Sequence, residues 1–513
     1  MITIIEKINQ NAKEYPTCIA YYCEKNIGGD KSSALTWQEL KEKSDKLAYY
    51  LSRSLTSNTP IIVYGHKDPY MLVCFLACVK SGRAYCPIDI SVPLNRIEAI
   101  IKEVSPEIIL TTEELSLEYN NILSYKKIHS IIENETGQIE DSQSISSEDV
   151  FYIIFTSGST GTPKGVQITR DSLDRFIQWG LTLGSGIQEN EKNVFLNQAP
   201  FSFDLSVMDL YLSLYSGGTL WALDKKVQGD MRLLFESFKQ SEASIWVSTP
   251  SFADVCLVDP SFRQELLPKL KRFLFCGETL TNRTAERLMR AFPNAEIVNT
   301  YGPTESTVAV TEVLVTPEVN QNNNPLPVGK AKKGTWIFIM DEQGNSLPEG
   351  EHGEIVIVGD TVSVGYWNNQ DRTRKVFGVR EIEGHPYRLY HTGDKGYLKD
   401  GQLFYCGRID LQIKLHGYRI ELEDIESNIM KLPEIQKAAV LPVYRDGQVR
   451  SLTAYVVTRN VATDSFSMTQ KLREKLKEYL PEYMIPKKMV FLETLPMTNN
   501  GKVDRRALGG MKR

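Results

Sequence analysis

No long apolar run occurs in the sequence. The longest, Met71–Val79 (MLVCFLACV), falls well short of the roughly 20 residues a membrane helix needs, so it predicts a buried helix rather than a span. The N-terminus, MITIIEKINQ, lacks the charged-then-apolar segment and small-residue cleavage site of an export signal, and a cytoplasmic protein is expected. Eight cysteines are scattered without a CxxC pair or a histidine at ligand spacing, which argues for reduced thiols and against a metal site built on them. Positive charge is not in excess either: a net charge of -5 leaves no overall basic field for nucleic acid or anionic lipid. What is present is ordinary globular composition, 42% hydrophobic and 24% charged, over 513 residues, too many for one compact core.

Short β-branched runs alternate with helical patterns. Pro60–Gly65, Glu107–Thr111, Phe151–Phe155, Ile245–Val247, Phe273–Phe275 and Ile297–Val298 read as strands, with helices between them such as the one near 70–80. This alternation predicts α/β layers with parallel strands, whose ends carry the chemistry. Polar stretches at 133–149 and 316–327 lack periodicity and read as exposed loops. After Gly407 the character changes, and alternating strands (438–443, 452–457) and a helix near 469–480 predict a small α+β domain of about 100 residues.

The strongest local signal follows a predicted strand: Phe155-Thr156-Ser157-Gly158-Ser159-Thr160-Gly161-Thr162-Pro163-Lys164-Gly165. Small hydroxyls, glycines and one lysine let backbone amides and side-chain donors approach a polyphosphate closely. The loop is not a Walker A motif, because Lys164 follows Pro163 and precedes Gly165.

TSGSTGTPKG resembles the phosphate loop of the adenylate-forming superfamily, which holds acyl-CoA synthetases, firefly luciferase and peptide-synthetase adenylation domains. In order, LTWQEL (35–40), KSGRAYCPID (80–89), NTYGPTE (299–305), GEIVIVGDTVSVGYW (353–367), YHTGD (390–394), GRIDLQIKLHGYRIELEDIE (407–426), LPEYMIP (480–486) and NGKVDR (500–505) continue the resemblance along nearly the whole chain. It implies an α/β fold with a large multi-subdomain N-terminal adenylation domain (1–408), a hinge at 409–411 centred on Asp410, and a small mobile α+β C-terminal domain (412–513). It also implies ATP and Mg²⁺. Asn299 offers an amide for an adenine edge and Tyr301 a ring face for stacking. Glu305, with the Thr156 hydroxyl, supplies the oxygen ligands that magnesium prefers. Asp394 can accept ribose hydroxyls, and Arg408 can reach ribose or phosphate. The same motifs extend the nucleotide contacts to Ser157, Lys164, Thr300, Gly302, Pro303, Thr304, Tyr405, Cys406 and Gly407. Lys502 corresponds to the family's mobile catalytic lysine, an ammonium able to neutralise charge between substrate carboxylate and α-phosphate. His391 stands where relatives often have arginine, and its role is open at this point.

Phe203-Asp204-Leu205-Ser206 matches a pattern of amino-acid-activating members, in which Asp204 would pair with the substrate ammonium; the lesser alternative is a helix N-cap aspartate. The stretches 197–223, 273–280 and 414–426 are similar to those of ligases that load D-alanine onto a separate phosphopantetheinylated carrier protein for teichoic acid D-alanylation, with Cys276 and Val308 bordering the alanine methyl. Arg513 closely follows NGKVDRRAL, so no fused carrier domain is expected and the thiol comes from another molecule. Alternatives are a free-standing adenylation enzyme for another small amino acid, an acyl-CoA synthetase, disfavoured by Asp204, and an inactive scaffold, disfavoured by the retained motif residues.

Overall fold

The computed structural model describes residues 2–24, 33–137, 139–140, 143–158, 163–189, 191–445, 448–459, 465–497 and 503–511. The chain divides into two compact units. One comprises Met1–Ile90, Val104–Ile154 and Gly165–Ile409; the other comprises Ser91–Glu103, Phe155–Lys164 and Asp410–Arg513.

Two sheets built mainly of parallel strands frame the first unit. One has the strand order Lys330–Ala331, Thr311–Leu314, Glu296–Tyr301, Arg272–Phe275, Ile245–Ser248, Val194–Asn197, Thr219–Ala222, Ile19–Cys23, Ser33–Thr36. Its six strands from Glu296–Tyr301 to Ile19–Cys23 are parallel to their neighbours, and its edges pair antiparallel. The other runs Ile122–Leu123, Ile109–Thr111, Ile61–Gly65, Tyr85–Asp89, Val150–Thr156, Lys164–Thr169. The apolar segment forms the helix Pro69–Lys80, started by Asp68, whose side chain accepts from the Tyr70 N–H, and by Pro69 in the first turn. That helix is buried all round. It shares one hydrophobic core with the equally buried helix Leu205–Ser216 and with strands of both sheets. A third, five-stranded antiparallel sheet contains Gly353–Gly359, His385–Lys399 and Gln402–Arg408.

In the second unit, the strands Ile435–Arg445, Gln448–Thr458 and Lys488–Phe491 pack with the helices Leu422–Met430 and Ser465–Leu476 around their own core. The hairpin Gln412–Leu415/Tyr418–Glu421 turns at His416 and Gly417, with φ of 53° and 81°, the double left-handed geometry of a two-residue hairpin.

One reading changes. The stretch 316–327 is not all loop: Thr316 caps the short helix Pro317–Asn322, accepting from the Val319 N–H. This helix buries no residue, so it carries no apolar periodicity to betray it. Residues 91–103 and 155–164 lie in the same compact unit as 410–513. The reasons are an Arg96–Asp424 ion pair at 3.1 Å, a Lys164–Glu421 pair at 3.3 Å, and Ser157 Oγ, which donates to the Arg419 carbonyl at 2.8 Å.

Candidate active site

The parallel register of the large sheet aligns the ends of four adjacent strands. Asn197 pairs with Val247, Ser248 with Phe275, and Phe275 with Asn299. Chain leaving one edge of a parallel sheet at neighbouring strands forms a crevice suited to ligands. The segments that leave here are 198–204, 276 onward and 300–308, which hold most of the predicted amino-acid and adenine contacts.

Asp204 occupies the N-cap position of Leu205–Ser216 but does not cap it: its φ and ψ are helical and its side chain accepts no cap hydrogen bond. Its carboxylate instead accepts from Thr304 Oγ1 at 2.6 Å. Thr304, expected among the nucleotide contacts, is thus bonded to the proposed ammonium anchor. Beside it, Cys276 Sγ lies 3.7 Å from the carbonyl of Val308, and both residues are buried. Thr307 and Val308 have φ of 63° and 67°. Two consecutive β-branched residues in the left-handed region are strained, and such strain persists only where surroundings enforce it. Here Thr307 Oγ1 donates to the Thr361 carbonyl at 2.7 Å, and the Ser363 N–H donates to the Glu305 carbonyl at 2.9 Å.

On the nucleotide side, Tyr301 and Tyr405 pack with ring centroids 5.8 Å apart. Burial, reinforced by the Asp394 charge, holds the Tyr301 phenol far above its usual pKa, so it stays protonated and donates to Asp394 Oδ2 at 2.6 Å. Arg408 Nη1 donates to Asp394 Oδ1 at 2.8 Å and to the Thr392 carbonyl at 2.7 Å. The strands bearing them set Asp394 opposite Arg408. Asn299 Nδ2 is engaged by the Pro327 carbonyl at 2.9 Å, and Thr300 Oγ1 donates to the Phe275 carbonyl at 2.9 Å. Pro303 precedes the turn Thr304–Ser306 in extended conformation; Cys406 is exposed, and Gly407 has a φ of 104°.

Glu305 is fully buried, and Tyr366 Oη donates to its Oε1 at 2.8 Å. In the second unit, Thr156 Oγ1 is buried without a hydrogen-bond partner, while Ser157 Oγ also accepts from the Glu421 N–H at 3.2 Å. The buried Glu305 carboxylate, and separately the orphaned Thr156 hydroxyl, are oxygen donors of the kind a hard cation takes. Asp410 is exposed, with Oδ1 accepting from the Gln412 N–H at 3.1 Å. Lys502 lies outside the described residues.

Sequence reasoning missed Tyr366, and the bond from Thr304 to Asp204, because the partners are distant in the chain. The open question of His391 also resolves: its Nδ1 lies 3.0 Å from Glu354 Oε2, and Glu354 Oε1 accepts from the Gly393 N–H at 2.9 Å, so the pair braces the turn that presents Asp394. The Glu354 hydrogen bond raises the His391 pKa above its usual value.

The family described as AMP-binding enzyme matches residues 8–367, and the AMP-binding enzyme C-terminal domain matches residues 424–502. The chain is 46% identical to a D-alanine--D-alanyl carrier protein ligase of Listeria monocytogenes serotype 4b, over 99% of this chain and 98% of that protein. It is 45% identical to one of Bacillus licheniformis, over 98% of each. Among solved structures, an NRPS protein containing adenylation and PCP domains, bound to a vinylsulfonamide inhibitor, superposes with a TM-score of 0.83 at 26% identity, covering 99% of this chain and 84% of that one. No described helix is long and apolar enough to cross a membrane.

Proposed function

Because the chain belongs to the AMP-binding enzyme family, and within it to relatives matched over full length that ligate D-alanine to a carrier protein, we propose that it activates D-alanine with ATP and passes the alanyl group to the thiol of a separate phosphopantetheinylated carrier protein. In the first half-reaction a carboxylate oxygen of D-alanine attacks the α-phosphorus; the bond to the β-phosphate oxygen breaks, pyrophosphate leaves, and alanyl-AMP remains. In the second the carrier thiolate attacks the acyl carbon, and AMP leaves with the bonding electrons.

Asp204 holds the ammonium while the Thr304 hydroxyl fixes its carboxylate. Cys276 and Val308 wall the methyl. Tyr301 offers its ring to adenine, and Asp394 and Arg408 take the ribose. Thr156, Ser157 and Lys164 serve the phosphates. Glu305, oriented by Tyr366, would hold magnesium. The ion, when bound, offsets charge on the phosphates. Lys502 serves adenylation, and motion about Asp410 removes it before thiol attack. ATP as substrate assigns the reaction to the cytoplasm, and teichoic acid D-alanylation is the pathway served.

The observation that carries the amino-acid reading is Asp204: a carboxylate at a helix start that leaves the helix uncapped and turns to Thr304. ATP–pyrophosphate exchange over a panel of D- and L-amino acids tests it. D-alanine should give the highest kcat/KM, and pre-formed alanyl-AMP should load a carrier protein faster than coenzyme A. Preference for another amino acid would instead make the chain a free-standing adenylation enzyme for that residue.

A further inference from the structure

Directly after the strand Ile61–Gly65 comes a lysine that the reaction does not use. Lys67 is only 1% exposed and has a φ of 49°, unusual outside glycine. The Tyr21 hydroxyl donates to its carbonyl at 2.8 Å. Its ammonium donates to Asn197 Oδ1 and to the Ala199 carbonyl, and lies 4.7 Å from the centroid of the Phe201 ring. The other end of the Asn197 amide donates to both carboxylate oxygens of Asp209, at 2.9 and 3.0 Å. Asp209 is fully buried on the helix Leu205–Ser216. One amide therefore bridges a buried cation and a buried anion. Burial drives the pKa of Lys67 down and that of Asp209 up, and the opposite charge of each resists the shift.

These groups grip both ends of one short segment. Asn197, Ala199 and Phe201 lie at its entry, Asp209 lies on the helix at its exit, and Asp204 stands between them. Inside it, the Phe203 N–H donates to the Pro200 carbonyl at 3.0 Å and Ser206 Oγ to the Phe203 carbonyl at 2.7 Å. The segment is a braced turn whose tip carries the proposed ammonium anchor. We infer that Lys67, through Asn197 and Asp209, is a positioning residue for amino-acid recognition: it sets where the Asp204 carboxylate meets the substrate ammonium. This rests on the reading of Asp204 given above. Without the ammonium, Asn197 Oδ1 loses a buried donor and Asp209 its countercharge, so the segment must shift or take up a proton.

The test uses ATP–pyrophosphate exchange on the full chain. Lys67→Met should raise the KM for D-alanine by about tenfold or more while the KM for ATP and kcat stay within about twofold. The double variant Lys67→Met/Asp209→Asn, which removes both buried charges, should recover thermal stability yet keep the raised KM, because the Lys67 bonds to Asn197 Oδ1 and the Ala199 carbonyl are still missing and only the weaker Asn197 Nδ2 bond to Ala199, at 3.2 Å, remains. In an Asp204→Ala background, Lys67→Met should add nothing further. A lowered Tm with an unchanged KM for D-alanine would mark Lys67 as a folding element and overturn the inference. Should Lys67→Met fail to fold, the near-isosteric Asp209→Asn and the double variant carry the same comparison, and an unchanged KM in both overturns it equally. If Asp204→Ala alone leaves the KM for D-alanine unaltered, the reading of Asp204 fails; if Asp204→Ala raises it and Lys67→Met does not, only the role of Lys67 fails.

Discussion

Replacing Gly302 by alanine introduces a single methyl group against the backbone of the Thr307–Ala309 turn. A Cβ there would stand 2.5 Å from the Ala309 Cα, 2.9 Å from the Val308 carbonyl oxygen and 3.0 Å from the Ala309 carbonyl carbon. All three are backbone atoms, so no side chain can swing away. Restoring an ordinary carbon–carbon separation of about 3.5–4.0 Å requires the Thr307–Ala309 turn to move by roughly 1 Å. Overpacking of this kind costs about 1–3 kcal/mol of stability, which lowers Tm by a few degrees. The catalytic effect is larger if Val308 walls the substrate as proposed, since a displacement of about 1 Å in a reacting geometry can cost about a hundredfold in rate. The expected outcome is a folded protein with D-alanine-dependent pyrophosphate exchange reduced by about one to two orders of magnitude. Gly229→Ala, where the added Cβ meets nothing within 4 Å, is the control and should change neither quantity. Near wild-type exchange in Gly302→Ala would refute the reasoning, since it would mean that the position of the turn does not govern the site.

Lys502→Ala should lower alanyl-AMP formation by about a hundredfold or more while transfer from supplied alanyl-AMP survives, and equal loss in both half-reactions would remove the assignment. Asp410→Pro fixes φ near about -65° and should spare adenylation more than carrier loading; carrier loading at the wild-type rate would put the hinge elsewhere. Cys276→Gly should shrink the D- over L-alanine preference in kcat/KM, which methyl-sized walls set at about 10- to 200-fold, with an unaltered ratio assigning selectivity to other walls. His391, whose pKa Glu354 raises above 6.5, stabilises the fold fully below that value and progressively less as pH rises through the folded-state pKa. The Tm advantage of wild type over His391→Gln should therefore decline from about pH 6 upward, and a pH-independent difference would exclude the ion pair as its source.

Legibility from sequence followed the range of the forces involved. The buried helix Pro69–Lys80 and the strand ending at Thr156 were plain because apolar runs and cap residues act within a few positions of chain. The loop 155–165, NTYGPTE and YHTGD stand out in the sequence for the same reason, each being a local string of special residue types. What escaped joins distant segments: Tyr366 to Glu305, Thr304 to Asp204, His391 to Glu354, and the Lys67–Asn197–Asp209 bridge. A lone lysine after a strand ordinarily reads as solvated surface, and nothing near Lys67 in the chain announces its burial. Asp204 shows the limit from the other side. Its local context suits a helix cap, and its helical backbone together with the Thr304 hydroxyl, brought in by the turn after the strand Glu296–Tyr301, decides against that reading.

The strain at Thr307 and Val308 ties these missed contacts to the chemistry. Left to local preference, neither residue would hold a φ above 60°, and replacing either by glycine would ease the backbone at once. Glycine would also remove the Thr307 hydroxyl that grips the Thr361 carbonyl, or the Val308 side chain that is 2% exposed. A flexible turn would let the Val308 carbonyl drift from Cys276, and the wall proposed beside the methyl would lose its definition. A substrate as small as alanine offers one methyl for recognition, worth only about 1–3 kcal/mol between right and wrong placement. Discrimination on that scale survives only if the walls move by less than the methyl they sense. Distant clamps on a strained turn meet that requirement, and so does a braced segment under Asp204; local sequence preference alone supplies neither.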